Sequence, residues 1–185
     1  MAPPRLLAVQ PEDVLGFWRE AGPGRWFAKD DVFDREFRER FLAAHEAAVR
    51  GELDDWAAQT NGALALLILL DQYPRNAFRG SARMFDSDPK ARAVASQAVE
   101  AGLDRNMDAD LRQFFYLPFQ HSEQLADQDR GVELARTLGG EPLRFAILHR
   151  DIIEKFGRFP HRNALLGRTP TPEEQRFLDD GGFPG

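Results

Sequence analysis

The sequence predicts an all-α fold, an irregular antiparallel array of about seven or eight helices in one domain over residues 1–185. Three observations carry that expectation. Apolar residues recur at spacings of three and four along most of the chain, and no stretch alternates as a strand does. Cap and stop residues bracket the periodic stretches. The connections left between them are a few residues long, which favours antiparallel neighbours. Helix pairs invite a tetratricopeptide comparison, but no clean repeat of about 34 residues with its signature is present.

Taken in order, Pro11-Glu12-Asp13 opens a short helix carrying Val14, Leu15, Phe17 and Trp18. A longer helix spans Phe33 to Arg50, with Phe33, Phe37, Phe41 and Leu42 on one face and Gly51 ending it. The next runs from Asp54 to Tyr73. Its second half is apolar on all sides, which marks it as the central buried helix. In "SDPKARAVASQAVEAGLD", Asp88 is placed to cap, Pro89 to open and Gly102 to stop the helix. A helix from Asp108 to Phe119 is expected to break at Pro118. Another spans Gln128 to Leu138 and stops at Gly139-Gly140, and one from Pro142 to Phe156 stops at Gly157. In "TPTPEEQRFL", Thr171 caps, Pro172 takes the first helical position and Glu174 closes a capping box. Residues Gly181 to Gly185 are expected to form a loose tail.

Composition narrows the function classes. A net charge of −6 argues against a general nucleic-acid binder. The chain has no cysteine, which removes disulfides, thiolate metal sites and cysteine nucleophiles. The apolar run Ala63 to Leu70 is far short of the roughly 20 residues that cross a bilayer, so no membrane partner is expected. The opening "MAPPRLLAVQPED" lacks the apolar core of a signal peptide, and a cytoplasmic location is expected. There is no glycine-rich phosphate loop, G-x-S-x-G elbow, H-E-x-x-H or dinucleotide fingerprint, so the sequence leaves any cofactor unknown and any catalysis would rest on a constellation that local spacing does not reveal.

Polar residues gather at two aromatic-proline exits and one turn. Asp71 ends the most apolar helix, where the dipole disfavours a carboxylate, so it needs a partner such as Arg75, Arg158, Arg162 or a histidine. His149 lies within the stripe Phe145, Leu148, Ile152 and Phe156, and a half-buried imidazole needs partners too. After Pro118, His121, Ser122 and Glu123 should emerge from an irregular turn. Their spacing does not suit a zinc pair, and Ser122 reads first as a turn cap. From Arg144 to Arg168 six Lys/Arg face only two acids, a positive island in an acidic chain. Within it Gly157 stops a helix, Pro160 stiffens the turn, and Arg158, His161, Arg162 and Asn163 follow.

These blocks together, "DVLGFW", "LLDQYPRNAFRG", "YLPFQHSE", "FGRFPHRNALLGR" and the closing "TPTPEEQRFL", resemble the bacterial family called domain of unknown function 924. The resemblance covers essentially the whole chain. It implies an all-α, tetratricopeptide-like fold and brings no activity, substrate or cofactor. The family pattern includes the residues here numbered Asp71, Gln72, Pro74, Arg75, Asn76, Arg79, His121, Ser122, Glu123, Gly157, Arg158, Pro160, His161, Arg162 and Asn163. Tyr73 and Gln120 depart from it, where the family has phenylalanine and commonly methionine.

The preferred expectation is a binding module for a small anionic ligand or a peptide carboxylate. Arg75, Arg158 and Arg162 would clamp the anion, with Asn76 and Asn163 as orienting donors and Gln72, Arg79 and His149 beside them. The alternative is a hydrolase or transferase acting on a phosphorylated or carboxylated metabolite. There His121 or His161 would be the acid/base and Asp71 or Glu123 its orienter. A metal held among His121, Glu123, His149 and His161 is a variant of that alternative. A third reading is an interaction scaffold whose polar motifs only tie helix ends together.

Overall fold

The computed structural model describes residues 9–185; the expectation drawn from the first eight residues lies outside them. The described residues are helical and contain no strand. In chain order the α-helices are α1 Pro11–Ala21, α2 Pro23–Trp26, α3 Asp31–Arg50, α4 Thr60–Leu67, α5 Tyr73–Ala77, α6 Asp88–Glu100, α7 Ala109–Gln120, α8 Leu125–Arg136, α9 Gly140–Phe156 and α10 Pro172–Asp179. Among the described residues no helix is long and apolar enough to cross a membrane.

The chain is built around α4. Leu64 through Leu70 are all fully buried, because they are apolar on every side and α1, α6 and α7 pack around them. Each leucine or isoleucine so buried contributes about 1.5–3 kcal/mol. Phe17, Trp18, Trp26, Phe33, Phe37 and Phe114 stack into an aromatic wall on one side of this core. Trp26 joins it by donating its Nε1–H to the Trp18 carbonyl at 2.7 Å. Farther along, α6 packs on α7, α7 on α8 and α8 on α9, each helix against the next in sequence. Ile152, Ile153 and Phe159 form a small separate apolar cluster at the far end, with Phe156, Phe177 and Phe183 against it.

Several boundaries differ from the sequence reading, each for a physical reason. The helix expected from Asp54 is interrupted. Asp54–Ala58 forms a 3-10 turn, Gln59 is extended, and α4 starts at Thr60. Asp88 does not cap α6; Ser87 holds the cap position, and the Asp88 carboxylate is taken by an arginine instead. Pro118 does not break α7, which runs through it to Gln120. A proline this near the helix end forfeits one amide bond in a helix about to stop anyway. Phe145 is exposed rather than part of the buried stripe of α9, which consists of Ala146, His149, Ile152 and Ile153. The capping box of Thr171 with Glu174 and the left-handed stop at Gly157 are present as the sequence indicates.

Between α4 and α5 the helix widens. Ile68–Gln72 is a π-helical turn, and the Tyr73 amide donates to the Ile68 carbonyl five residues back. Pro74 has no amide to return to this turn, so side chains from elsewhere take its carbonyls. His45 Nδ1 donates to the Leu69 carbonyl at 2.8 Å, Ser87 Oγ to Leu70 at 2.6 Å and Arg75 Nη1 to Asp71 at 2.9 Å. The extra residue in that turn is what sets Asp71 in its place.

Candidate functional site

Asp71 is buried near the end of the π turn and is met by three polar side chains. His121, at the end of α7, donates from Nδ1 to Asp71 Oδ1 at 2.7 Å. Gln72 Nε2 donates to the other oxygen at 2.7 Å, and Arg75 Nη1 stands 3.5 Å away. Burial pushes the Asp71 pKa up, but His121, Arg75 and Gln72 outweigh it and bring it down to about 2. An ionised Asp71 accepts the Nδ1–H, which leaves His121 Nε2 as the basic nitrogen. Burial and the nearby Arg75 charge lower the His121 pKa, against the opposite pull of the Asp71 carboxylate.

Two further histidines stand beside this pair. The His121 and His149 rings lie 6.3 Å apart, and Phe159 packs against His149 at 5.7 Å and His161 at 5.5 Å. The Nδ1 atoms of His149 and His161 are both buried without a hydrogen-bond partner. Burial, reinforced by the neighbouring positive charges, drives His149 down to about 3 and His161 to about 4. Both rings are therefore neutral at physiological pH.

Arg162 completes the cluster from the turn Pro160–Arg162. Its guanidinium lies over Phe159 at 4.6 Å and Phe85 at 4.4 Å, and it is 7% exposed. Nη2 donates to the His121 carbonyl at 2.9 Å, and Nε has no partner. The nearest carboxylate is Asp88 at 3.9 Å. Asp88 already accepts both nitrogens of the Arg75 fork at 2.8 and 2.9 Å. Burial and then the Arg75 charge lower the Arg162 pKa to about 10.

The other polar residues singled out in the sequence go elsewhere. Asp34 takes Asn76 at 2.7 Å and Arg79 Nε at 2.8 Å, which fastens α5 to α3. Arg158 forks onto Glu174, with bonds of 2.7 and 2.8 Å, and Asn163 donates to the same carboxylate at 3.0 Å. Glu123 accepts two bonds from Arg168 and one from the Phe159 amide at 2.8 Å. Ser122 Oγ donates to Asp127 and accepts from the Gln124 amide, closing the turn before α8. The Asp71 motif thus meets the other two where Asp71 binds His121 and where Arg75 and Arg162 stand around Asp88, Glu123 ties the second motif to the third, and His161 and His149 of α9 stand beside them. Arg158 and Arg162, four residues apart, serve different partners. Asp88, Phe159 and Phe85 belong to the cluster without having been picked out as site residues. Only their long-range partners reveal them.

Two hollows of the surface lie apart from this chemistry. A depression of about 590 Å³ is lined by Glu12, Trp56, Asn61 and Asn106 among others, at the start of α4. A second, of about 460 Å³, lies between Lys155 and α10. Neither is lined by an unpartnered buried polar atom. The clustered histidines therefore carry the chemical case, and the hollows do not. Among the described residues no group of three or more His, Asp or Glu side chains is arranged to hold a metal, so the metal variant has no geometric support.

Residues 14–182 match a family model described as bacterial protein of unknown function (DUF924). The chain is also similar to a solved structure of a protein of unknown function, ATU0120, from Agrobacterium tumefaciens. The two are 51% identical with a TM-score of 0.91, and the match covers 92% of this chain and 97% of that one. No curated protein matches the chain.

Proposed function

The chain belongs to this bacterial family of unknown function, and we propose that it is a helical binding protein whose site is the cluster of Asp71, His121, His149, His161 and Arg162. The site takes a small anionic group, a carboxylate or a phosphate. The observation that carries this reading is the incomplete pairing of Arg162. Arg75, Arg79, Arg158 and Arg168 each fork onto a carboxylate, as half-buried guanidiniums normally do. Arg162 is buried more deeply than any of them yet bonds only a neutral carbonyl. Asp88, 3.9 Å away and already held by the Arg75 fork, compensates the Arg162 charge only in part, and an incoming anion completes the pairing. His149 and His161 add to the fit, because an anion beside them raises their pKa and turns unpartnered nitrogens into donors.

Inorganic phosphate is the first probe. Titration into protein labelled at the imidazole nitrogens is expected to shift the His149 and His161 resonances, and Arg162→Gln is expected to abolish the shift. Thermal unfolding of the variant checks that it folds, and Arg162→Lys, which keeps the charge, should retain part of the effect. Unmoved histidine resonances at about 10 mM phosphate, a concentration at which even millimolar sites fill, would sink the reading.

The Asp71–His121 pair favours a second reading, a hydrolase or transferase acting on a phosphorylated or carboxylated metabolite. A carboxylate on Nδ1 and a free Nε2 is the arrangement of an oriented general base. Under that reading Arg162 holds the anionic group while His121 moves a proton. It requires the Nδ1–H tautomer in the free protein. Nitrogen shifts reporting an Nε2–H ring instead would eliminate it.

A further inference from the structure

Phe183 lies past the end of α10, in a segment with no helix of its own, and it is not free in solvent. Its ring packs edge-to-face on His149 at 4.8 Å and on His161 at 5.3 Å. The backbone continues along His161, where a Cβ placed on Gly185 would stand 2.7 Å from the ring carbon Cδ2. The segment expected to be a loose tail is therefore laid across the two histidines whose Nδ1 atoms have no partner.

That arrangement is locally mismatched. A phenyl ring covers two imidazoles without offering either a hydrogen-bond partner, and buried polar groups in folded proteins are normally satisfied. A cover selected only to seal the histidines would bring a carbonyl or hydroxyl to them. The slot instead fits the edge-to-face geometry of an aromatic ring, and the incompletely paired Arg162 guanidinium stacks at 4.6 Å on Phe159, the same ring that packs against His149.

We infer that the Phe183 ring stands in the place of an aromatic ring of the ligand, so that the site takes an aromatic acid and residues 182–185 are displaced when it binds. The inference rests on the anion-binding reading above. The acid group pairs with Arg162, the ring enters the slot between His149 and His161, and Phe183 competes with it from within the chain. Competition from a tethered ring lowers the apparent affinity by the fraction of time the slot is filled.

The test compares phenyl phosphate with inorganic phosphate on the full chain, wild type and Phe183→Ala, reading the histidine resonances. Phe183 is at the surface end of a small cluster, and an unchanged thermal transition confirms that the variant folds. The expected result is a preference for phenyl phosphate of about tenfold or more in Phe183→Ala, clearly larger than the preference in wild type. Equal affinities for the two probes in the variant would overturn the inference while leaving the anion site standing. A ring preference identical in both proteins would also overturn it, since the ring would then bind away from Phe183. Binding of neither probe would overturn the anion site and this inference together.

Discussion

His149 and His161 hold pKa values of about 3 and about 4, well under the ordinary 6.5, because burial and then neighbouring positive groups oppose a charge there. The unfolded chain has no such restriction, so between the folded and unfolded values it binds more protons than the native state. Stability then rises with pH across that window and falls as acid is added below about 6.5. Going from about pH 7 to about pH 5, each ring should cost about 1–2 kcal/mol. Asp71, lowered to about 2, is ionised throughout that interval and loses its contribution only below its ordinary value near 3.8. Urea midpoints at the two pH values check the prediction, and His149→Gln with His161→Gln should flatten the slope. A wild-type slope unchanged in the double variant would show that the rings are not held neutral. Arg162 illustrates what is and is not legible at this scale. Its charge and its proline turn are plain in the sequence, as is the identical case of Arg158. Which of them would find a carboxylate depended on Glu174, 16 residues beyond Arg158, and on Asp88, 74 before Arg162, and no local spacing carries that.

Elements are where glycine and proline act, and the start of α4 shows it. A Cβ on Gly62 would overlap the carbonyl oxygen of Trp56, because the 3-10 turn Asp54–Ala58 presses directly on the first turn of the helix. Two effects oppose each other in Gly62→Ala. Alanine is the better helix former by up to about 1 kcal/mol. Overlap with backbone, which has nowhere to go in a packed core, costs about 2–3 kcal/mol. The net expectation is a loss of about 1–2 kcal/mol, read as a lower urea midpoint at constant m-value; a gain would mean that the turn does not press on the helix. Two further differences from the sequence reading belong to this scale, the π turn at Ile68–Gln72 and the uninterrupted run of α7 through Pro118. Hydrophobic spacing reports which face is buried and says nothing of one extra residue per turn. Asp71 is identifiable in the sequence as a buried acid in need of a partner because the run before it, Ala63 to Leu70, is wholly apolar. The π geometry that aims it at His121, 50 residues away, is not.

At the scale of the molecule, the last helix is joined to the array by charge more than by apolar area. Glu174 is the only buried residue of α10. It accepts the Arg158 fork, the Thr171 amide and Asn163, and those bonds hold its pKa at about 2. Arg168 and Glu123 make a parallel fastening between the same loop and the end of α7. Such a junction opens without unfolding the rest, because the apolar core around α4 takes no part in it. Glu174→Ala takes the carboxylate from Arg158, Thr171 and Asn163 at once and leaves Arg158 with only the Thr169 carbonyl; Arg158 is partly exposed, so the cost falls at or below the low end of the about 3–5 kcal/mol of a fully buried pair. The expected result is faster amide exchange confined to α10 and the residues after it, with the amides of α4 as protected as before. Phe183 reaches the histidines only because α10 is docked, so the same variant should expose the slot and move the His149 and His161 resonances. Global loss of protection instead would show that α10 is part of the core's cooperative unit. In that case the charge junction would be a keystone of the fold and not a hinge over the site.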